Sequence, residues 1–395
     1  MKHLKVVDLF SGCGGLSLGF QQAGFDIVAA FELWEPAIET YKRNFDHPVF
    51  RCDLSDVESS SEFIRGFSPD LIIGGPPCQD FSSAGKREEK DRANLTVCFA
   101  EIISSVRPLA FVMENVERAK DSRAFAEAER IYRNSGYGLT EVVLNAALCG
   151  VPQRRKRFFC IGIKGGKDNQ LIEALKRDLS DYEMTLREYF GDSLGFQYYY
   201  RHPRNYSRRA VFSIDEPAPT VRGVNRPIPK GYPGHPEDAC PIGPDVHALT
   251  SRDRSRIQTF PESFIWVGTR TDVEQMIGNA VPVGLARYVA LHLMDALEPE
   301  RISEFNQKLE SFSQWLEKDQ NIASRARSDV ISRLKRAVRI AGPIEDKTER
   351  KACYDFDSAA EGRGLTASVR SQIKHAIRLY CQWENSLSDS NLNRS

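Results

Sequence analysis

Over the first 165 residues of this 395-residue chain, short apolar runs alternate with helical patterns, and that alternation limits the fold more than any other feature. The runs Leu4–Phe10, Ile27–Phe31, Val49–Cys52, Leu71–Ile73, Leu109–Met113, Glu141–Leu144 and Phe158–Ile163 read as strands. Leu16–Ala23, Pro36–Asn44, Thr96–Val106 and Ala124–Asn134 read as helices between them. Repeated βα units predict a doubly wound α/β domain with a mostly parallel sheet, because parallel neighbours need a crossover that a helix supplies. In such a sheet, ligands sit beyond the carboxyl ends of the strands.

Those ends carry chemistry. Asp8-Leu9-Phe10-Ser11-Gly12-Cys13-Gly14-Gly15 falls where the first strand gives way to the first helix, and its glycines permit a tight turn and close approach of a ligand to the backbone. The next strand ends in Glu32 and the third in Asp53, two carboxylates on one edge that suit the hydroxyls and amino group of a nucleoside. Taken alone, the loop fits a plain turn or a dinucleotide site equally well, and no Walker lysine follows it. The fourth strand runs into Gly75-Pro76-Pro77-Cys78-Gln79-Asp80-Phe81-Ser82, where two prolines fix the backbone and present Cys78 rigidly. The fifth ends in Glu114-Asn115-Val116. A thiol and an acid on neighbouring strand ends, beside a nucleoside pocket, suit attack on an electron-poor ring with protonation of that ring.

The rest of the chain divides in two. The texture changes after Lys167, and residues 166–265 read as a smaller loop-rich domain, while Val283–Leu297 reads as the closing helix of the first domain, which then comprises 1–165 plus 266–297. Lysine plus arginine and aspartate plus glutamate number 54 each, so any grip on a polyanion must be local. Residues 196–236 offer one, with seven Lys/Arg against two acids, interleaved with seven aromatics and seven prolines. From 298 to 395 the chain is a charged helical extension, with Phe305, Leu309, Phe312 and Leu316 on one stripe, then Val330, Leu334 and Val338, then Val369, Ile373, Ile377 and Tyr380. Residues 330–340 and 369–379 align at an offset of 39, which reads as coincidence between two amphipathic helices. Nine scattered cysteines, none in a zinc-ligand spacing, fit free thiols in a reducing compartment and no metal. No apolar run approaches the roughly 18 residues of a membrane span, and the start meets an acid too soon for a signal peptide, so the expectation is a cytoplasmic protein with no membrane partner.

In order along the chain stand Asp8–Gly15, Gly75–Ser82 with Pro77-Cys78-Gln79, Glu114-Asn115-Val116, Gln153-Arg154-Arg155-Lys156-Arg157, Pro219-Thr220-Val221-Arg222-Gly223, Leu249–Asp253 with Arg256–Pro261, and Gly278-Asn279-Ala280-Val281-Pro282. Over about residues 4–297 the chain resembles the DNA (cytosine-5)-methyltransferases, and the ordered set is far more specific than any one block. The resemblance implies a Rossmann-like S-adenosylmethionine-dependent catalytic domain, a target-recognition domain at 166–265, and methylation of carbon 5 of a cytosine flipped out of duplex DNA, in a prokaryotic cytoplasm at the nucleoid. It implies Cys78 as nucleophile, Glu114 as the acid at ring nitrogen 3 and Arg157 as its partner. The S-adenosylmethionine site would comprise Phe10, Ser11, Gly12, Gly14, Gly15, Leu16, Glu32, Asp53, Pro76, Leu95 and Asn279, with Glu32 on the ribose and Asp53 on the adenine. DNA contacts would come from Gln79, Ser82 and Lys86 on the catalytic loop, from Arg155 on a phosphate, and from Thr220, Arg222 and Arg226. A cognate restriction endonuclease or defence-system proteins are the implied partners. The chain departs from the family at Asp253, where glutamate is usual and the shorter acid alters the expected salt bridge, and in the extension after Leu297.

The same elements occur in a transfer-RNA-modifying branch, so an RNA cytosine-5 methyltransferase is one alternative, against which the cationic, proline-rich insertion speaks. A catalytically silent DNA-binding regulator is another, against which intact Cys78, Glu114 and Arg157 speak. In the extension, residues 325–339 hold six Lys/Arg against one acid, predicting an amphipathic helix with a basic outer face. That helix either packs on the catalytic domain or touches flanking DNA phosphates.

Overall fold

The computed structural model describes residues 4–77, 94–205, 207–342, 344, 347–358 and 367–392. The first part of the chain forms β1 (Lys5–Leu9), α1 (Gly15–Gln22), β2 (Asp26–Glu32), α2 (Glu35–Lys42), β3 (Val49–Arg51), α3 (Val57–Arg65), β4 (Leu71–Gly74), α4 (Leu95–Val106), β5 (Ala110–Val116), α5 (Arg123–Asn134), β6 (Tyr137–Asn145), β7 (Gln153–Arg154) and β8 (Lys156–Lys164). All but β7 of these strands make a 7-stranded sheet in the order β3-β2-β1-β4-β5-β8-β6. β3 through β5 pair in parallel, and β8 runs antiparallel to both of its neighbours. The strand order reverses between β1 and β4, which places the ligand crevice of a doubly wound sheet at their carboxyl ends.

Both faces of the sheet are covered, so its central strands are apolar on alternate sides rather than on one. In β1, Val6 enters the core under α1, whereas Val7 and Leu9 enter the opposite core with Phe99 and Ile103 of α4. In β5, Ala110 and Val112 go one way, Phe111 and Met113 the other. The buried face of the helix α3 is mostly serine, with Ser60, Ser61 and Ile64 on it, and Asp56 caps the helix by accepting from the Ser59 amide. That is why the sequence pattern passes over it.

Beyond β8 come α6 (Ile172–Arg177), α7 (Leu186–Phe190), β9 (Tyr198–Tyr200), β10 (Val211–Ser213), β11 (Ala218–Pro219), β12 (Val246–Ala248), α8 (Ser251–Ile257), α9 (Arg270–Asn279) and α10 (Val283–Leu297). A 3-stranded sheet, β10-β9-β12, and the short parallel pair β11-β7 are the only further ladders among the described residues. The packing does not change where the sequence texture does. Leu171 and Leu175 are buried in the core that α1 and α10 cover, so the change of texture at 167 precedes the end of the first packing unit. The two regions also share a core, which includes Tyr41 of α2 together with Tyr199, Val221, Ile257 and Ile277. By composition, Arg270–Leu297 is long and apolar enough to cross a membrane, contrary to the expectation that no run approaches that length. It breaks between α9 and α10, and Leu285, Val289 and Leu293 are buried against the large sheet, so it is a core segment.

The extension forms α11 (Pro299–Lys318), α12 (Ser324–Ala341), α13 (Glu349–Ser358) and α14 (Ala367–Leu392) around a core of its own, including Phe312, Leu334, Phe356, Ile377 and Tyr380. The two segments related by the offset of 39 lie on α12 and α14, whose buried faces meet in that core. A β-carbon on Gly15 would meet the Val281 carbonyl, one on Gly19 the Ala286 methyl, and one on Gly24 would lie near Met294. α10 therefore descends alongside α1 from the crevice toward the opposite edge of the sheet. The extension begins there, and Gly342, closing α12, lies near Gln22 at the foot of α1.

Candidate active site

The turn from β1 into α1 is built from left-handed residues: Phe10 has φ 54°, Gly12 55° and Gly14 93°. A non-glycine residue held there is unusual, and such positions concentrate where a loop is shaped for a ligand. The Glu32 carboxylate, at the end of β2, accepts from the Gly12 amide at 2.7 Å and from the Leu33 and Trp34 amides at 2.8 and 2.9 Å. It thereby fixes the loop and the start of α2 together. Asp53, two residues past β3, accepts from the amide and hydroxyl of Ser55.

A cavity of about 590 Å³ opens at this edge, and one wall or another includes Phe10, Ser11, Gly12, Gly15, Leu16, Glu32, Asp53, Pro76, Leu95 and Asn279. Gly14 does not line it. A β-carbon there would come within 2.4 Å of the Phe45 ring and 2.9 Å of the Tyr41 ring, so its glycine answers to backbone conformation and packing, which corrects its expected role in cofactor binding. Pattern reading missed Trp34, Cys52, Leu54, Met276 and Val281, which also line the cavity. Trp34 follows a strand-end acid and could have been found by that position; Met276 and Val281 arrive from the far end of the chain with no local signal.

Two acceptor carboxylates, apolar walls and a buried Ser11 hydroxyl with no partner among the described residues make a donor and acceptor set that fits a nucleoside with a charged tail. Cys13 also faces the cavity, but burial, with the Glu32 and Asp8 carboxylates nearby, pushes its thiol up to about 12. No cluster that could hold a metal ion occurs among the described residues.

The cavity continues to Glu114 and Arg157. In the β5–β8 ladder Val116 opposes Arg157 and Glu114 opposes Phe159, so Glu114 and Arg157 are diagonal neighbours on one face. Arg157 Nε lies 2.9 Å from Glu114 Oε1, and both side chains are largely buried. Burial raises the Glu114 carboxyl above its ordinary value, while the Arg157 and Arg155 guanidiniums oppose that rise. Asn115 donates to the Pro76 carbonyl at 3.1 Å and so pins the turn leaving β4. Cys78, Gln79, Ser82 and Lys86 lie outside the described residues.

Arg155 is not placed to touch DNA, which corrects the phosphate contact expected of it. It is 1% exposed, and its guanidinium donates to the carbonyls of Val221, Gly278 and Ala280 at 2.9, 2.8 and 3.0 Å. It ties the recognition segment to the turn carrying Asn279. Thr220 donates to the Arg154 carbonyl at 2.7 Å, Arg222 donates to the His202 carbonyl, and Arg226 is exposed. Around them the sequence reading had not foreseen how many cations gather. Burial and the neighbouring Arg222, Arg204 and Arg254 bring Arg201 down to about 10, and burial with Arg222 and Arg270 does the same to Arg254, which pairs with Glu274. Asp253 closes the capping box of α8 with Thr250 and lies 2.9 Å from His247 Nε2.

Residues 4–295 match the family model of C-5 cytosine-specific DNA methylases, and the chain belongs to that family. It is 58% identical over 291 residues to the Type II methyltransferase M.HindV of Haemophilus influenzae, covering 73% of this chain and 95% of that one. With M.HgiDI of Herpetosiphon aurantiacus, also a Type II methyltransferase, it shares 53% over 304 residues, 77% of this chain and 98% of the relative. The protein is thus a DNA (cytosine-5-)-methyltransferase of the type II restriction-modification kind. The solved S. pombe Dnmt2 methyltransferase shares the fold, with a TM-score of 0.57 at 20% identity over 75% of this chain and 99% of that one.

Proposed function

We propose that the chain methylates carbon 5 of a cytosine flipped out of a specific duplex DNA sequence, with S-adenosylmethionine held in the cavity and Cys78 as nucleophile. The observation that carries this reading is that one cavity includes both Glu32, Asp53 and Asn279 and the buried Glu114–Arg157 pair. Bound there, S-adenosylmethionine supplies an electrophilic methyl group on a sulfonium. Glu32 and Asp53 would hold its ribose and adenine, with Ser11 and Asn279 completing the walls.

The chain's own residues act on the base. Carbon 5 of cytosine is a poor nucleophile within an aromatic ring. Addition of the Cys78 thiolate to carbon 6, with a proton held by Glu114 at ring nitrogen 3, makes a covalent enamine whose carbon 5 can take a methyl group. Loss of the carbon 5 proton to a base then restores the ring and expels the thiolate. Burial of Glu114 favours its protonated form, and Arg157 fixes its orientation. A stacked base cannot reach this site, and flipping it costs a few kcal/mol. Arg201, Arg204, Arg222, Arg226, Arg254 and Arg270 repel one another in the free protein, and DNA phosphates placed among them would offset that repulsion and support the flip. The partner in this reading is a cognate restriction endonuclease that reads the same sequence, or other defence-system proteins, in a prokaryotic cytoplasm.

Incubation with methyl-labelled S-adenosylmethionine, offering genomic duplex DNA and transfer RNA in parallel, tests the reading. Label in duplex DNA, mapped to 5-methylcytosine within one short sequence, is expected. Label confined to transfer RNA, or to the exocyclic amino group, would overturn it.

A further inference from the structure

Four polar side chains that take no part in the proposed chemistry form a line beneath the glycine loop. Ser17 Oγ donates to Asp8 Oδ2 at 2.6 Å, Tyr41 Oη lies 2.6 Å from Ser17 Oγ, and His47 Nε2 lies 2.7 Å from Tyr41 Oη. Asp8, Ser17 and Tyr41 are completely buried, while His47 is half-buried at the end of the line. Asp8 Oδ1 has no partner among the described residues. The line crosses β1, α1, α2 and the turn before β3, and the Tyr41 ring bears on Gly14, so the loop rests on it.

Each hydroxyl in the line carries one proton, which couples its two ends. With Asp8 ionised, Ser17 donates to it, Tyr41 donates to Ser17 and His47 Nε2–H donates to Tyr41. With a proton on Asp8 the donors can all reverse, and His47 Nε2 then accepts. An imidazolium at His47, charged by a proton from solvent, passes its Nε2 proton along the line and leaves neutral Asp8 with an imidazole protonated at Nδ1 alone; the reverse transfer returns the proton to solvent.

The charge at Asp8 is felt at the cavity. Cys13 lines the cavity, and the carboxylates of Glu32 and Asp8 both oppose ionisation of its thiol. An anion at Asp8 therefore makes that wall more negative. The methyl donor is a sulfonium cation and its demethylated product a neutral thioether, so the wall's charge distinguishes them. We propose that Asp8 and His47 are positioning residues of a proton relay that makes the site's preference for the cationic methyl donor over its neutral product depend on pH. This rests on the reading of the cavity as the S-adenosylmethionine site.

The facing groups set the window. Burial brings Asp8 up to about 7, with Ser17 opposing and Glu32 adding to the rise. Burial lowers His47, while Asp26 and Asp46 act the other way, and Tyr41 and Cys13 face Asp8 only as neutral groups, their own ionisation pushed far higher. Above about pH 7 Asp8 is ionised and the cation is favoured; below it that preference fades.

Calorimetric affinities of the wild-type protein for S-adenosylmethionine and S-adenosylhomocysteine between pH 6 and 8.5 test the relay. The ratio is expected to shift toward the donor by several-fold as pH rises, as a unit charge acting through the cavity wall at an effective dielectric constant of about 20 would give. Asp8→Asn should keep product affinity and flatten the ratio, and the more exposed His47→Asn should move the midpoint of its pH dependence. Equal loss of both ligands in Asp8→Asn, or an unmoved midpoint in His47→Asn, would reduce the line to a structural support and overturn the relay. A wild-type protein that binds neither ligand would overturn the cavity assignment itself, and the relay's role with it.

Discussion

Replacing Arg155 with methionine, which keeps the length and apolar stem of the side chain, removes the guanidinium that holds three carbonyls from two distant segments. Hydrogen bonds to a charged group contribute about 1.5–3 kcal/mol each, and they are not additive within one network. Losing all three while leaving buried carbonyls unpaired should cost about 4 kcal/mol. With an unfolding entropy of about 2.1 cal/mol/K per residue, about 1 kcal/mol corresponds to roughly 1.2 °C in a chain of 395 residues, so Tm should fall by about 5 °C. Differential scanning fluorimetry reads that shift. DNA titrations at several salt concentrations supply the second readout, because a lost phosphate contact lowers the slope of log affinity on log salt by about 0.9. At a temperature where the variant is folded, that slope should equal wild type. A variant with wild-type Tm and a slope reduced by about one unit would instead make Arg155 a DNA contact.

Glu114→Gln should lower methyl transfer by about 10²–10⁴-fold with DNA affinity little changed; because burial raises the Glu114 pKa, wild-type activity should fall as pH rises through that raised value, and single-turnover rates against pH should lose this limb in the variant. Alanine at the exposed Arg204, Arg226 or Arg270 should each weaken binding to all duplexes and lower the salt slope by about 0.9 where a phosphate is lost, as filter binding at graded salt would show; three unchanged slopes would move the reading surface elsewhere. Truncation after Leu297 removes a unit with its own core that joins at the edge of the sheet opposite the crevice, so a folded truncation should keep the salt slope and sequence preference of the full chain. A shallower slope would restore the basic face of α12 as a DNA contact.

The central sheet was legible because burial on both faces forces apolar strands, and apolar strands leave a pattern in any sequence. The same holds for α10, whose predicted span Val283–Leu297 coincides with the helix. α3 was not legible, since serines form much of its buried face. Around the cavity, residues at strand ends could be found because topology sends every parallel strand end to one edge. Met276 and Val281 could not, because their place depends on long-range packing. Arg155 shows the opposite failure: an arginine in a cationic run reads as a surface contact, and only the three surrounding carbonyls reveal a buried tie. The two short strands of the recognition region at 198–200 and 211–213 carry too few residues for any periodicity to register.

Carbon 5 methylation through Cys78 is tested most directly by a duplex containing the enzyme's target sequence with 5-fluorocytosine at the methylated position. Fluorine cannot leave carbon 5 as a proton does, so the enzyme should stall after methyl transfer. With S-adenosylmethionine present, wild-type protein is expected to form a denaturation-resistant complex with this DNA through Cys78, located by mass spectrometry of the linked peptide, and Cys78→Ser to form none. Multiple-turnover methylation without a trapped complex, or a complex retained by Cys78→Ser, would contradict the mechanism.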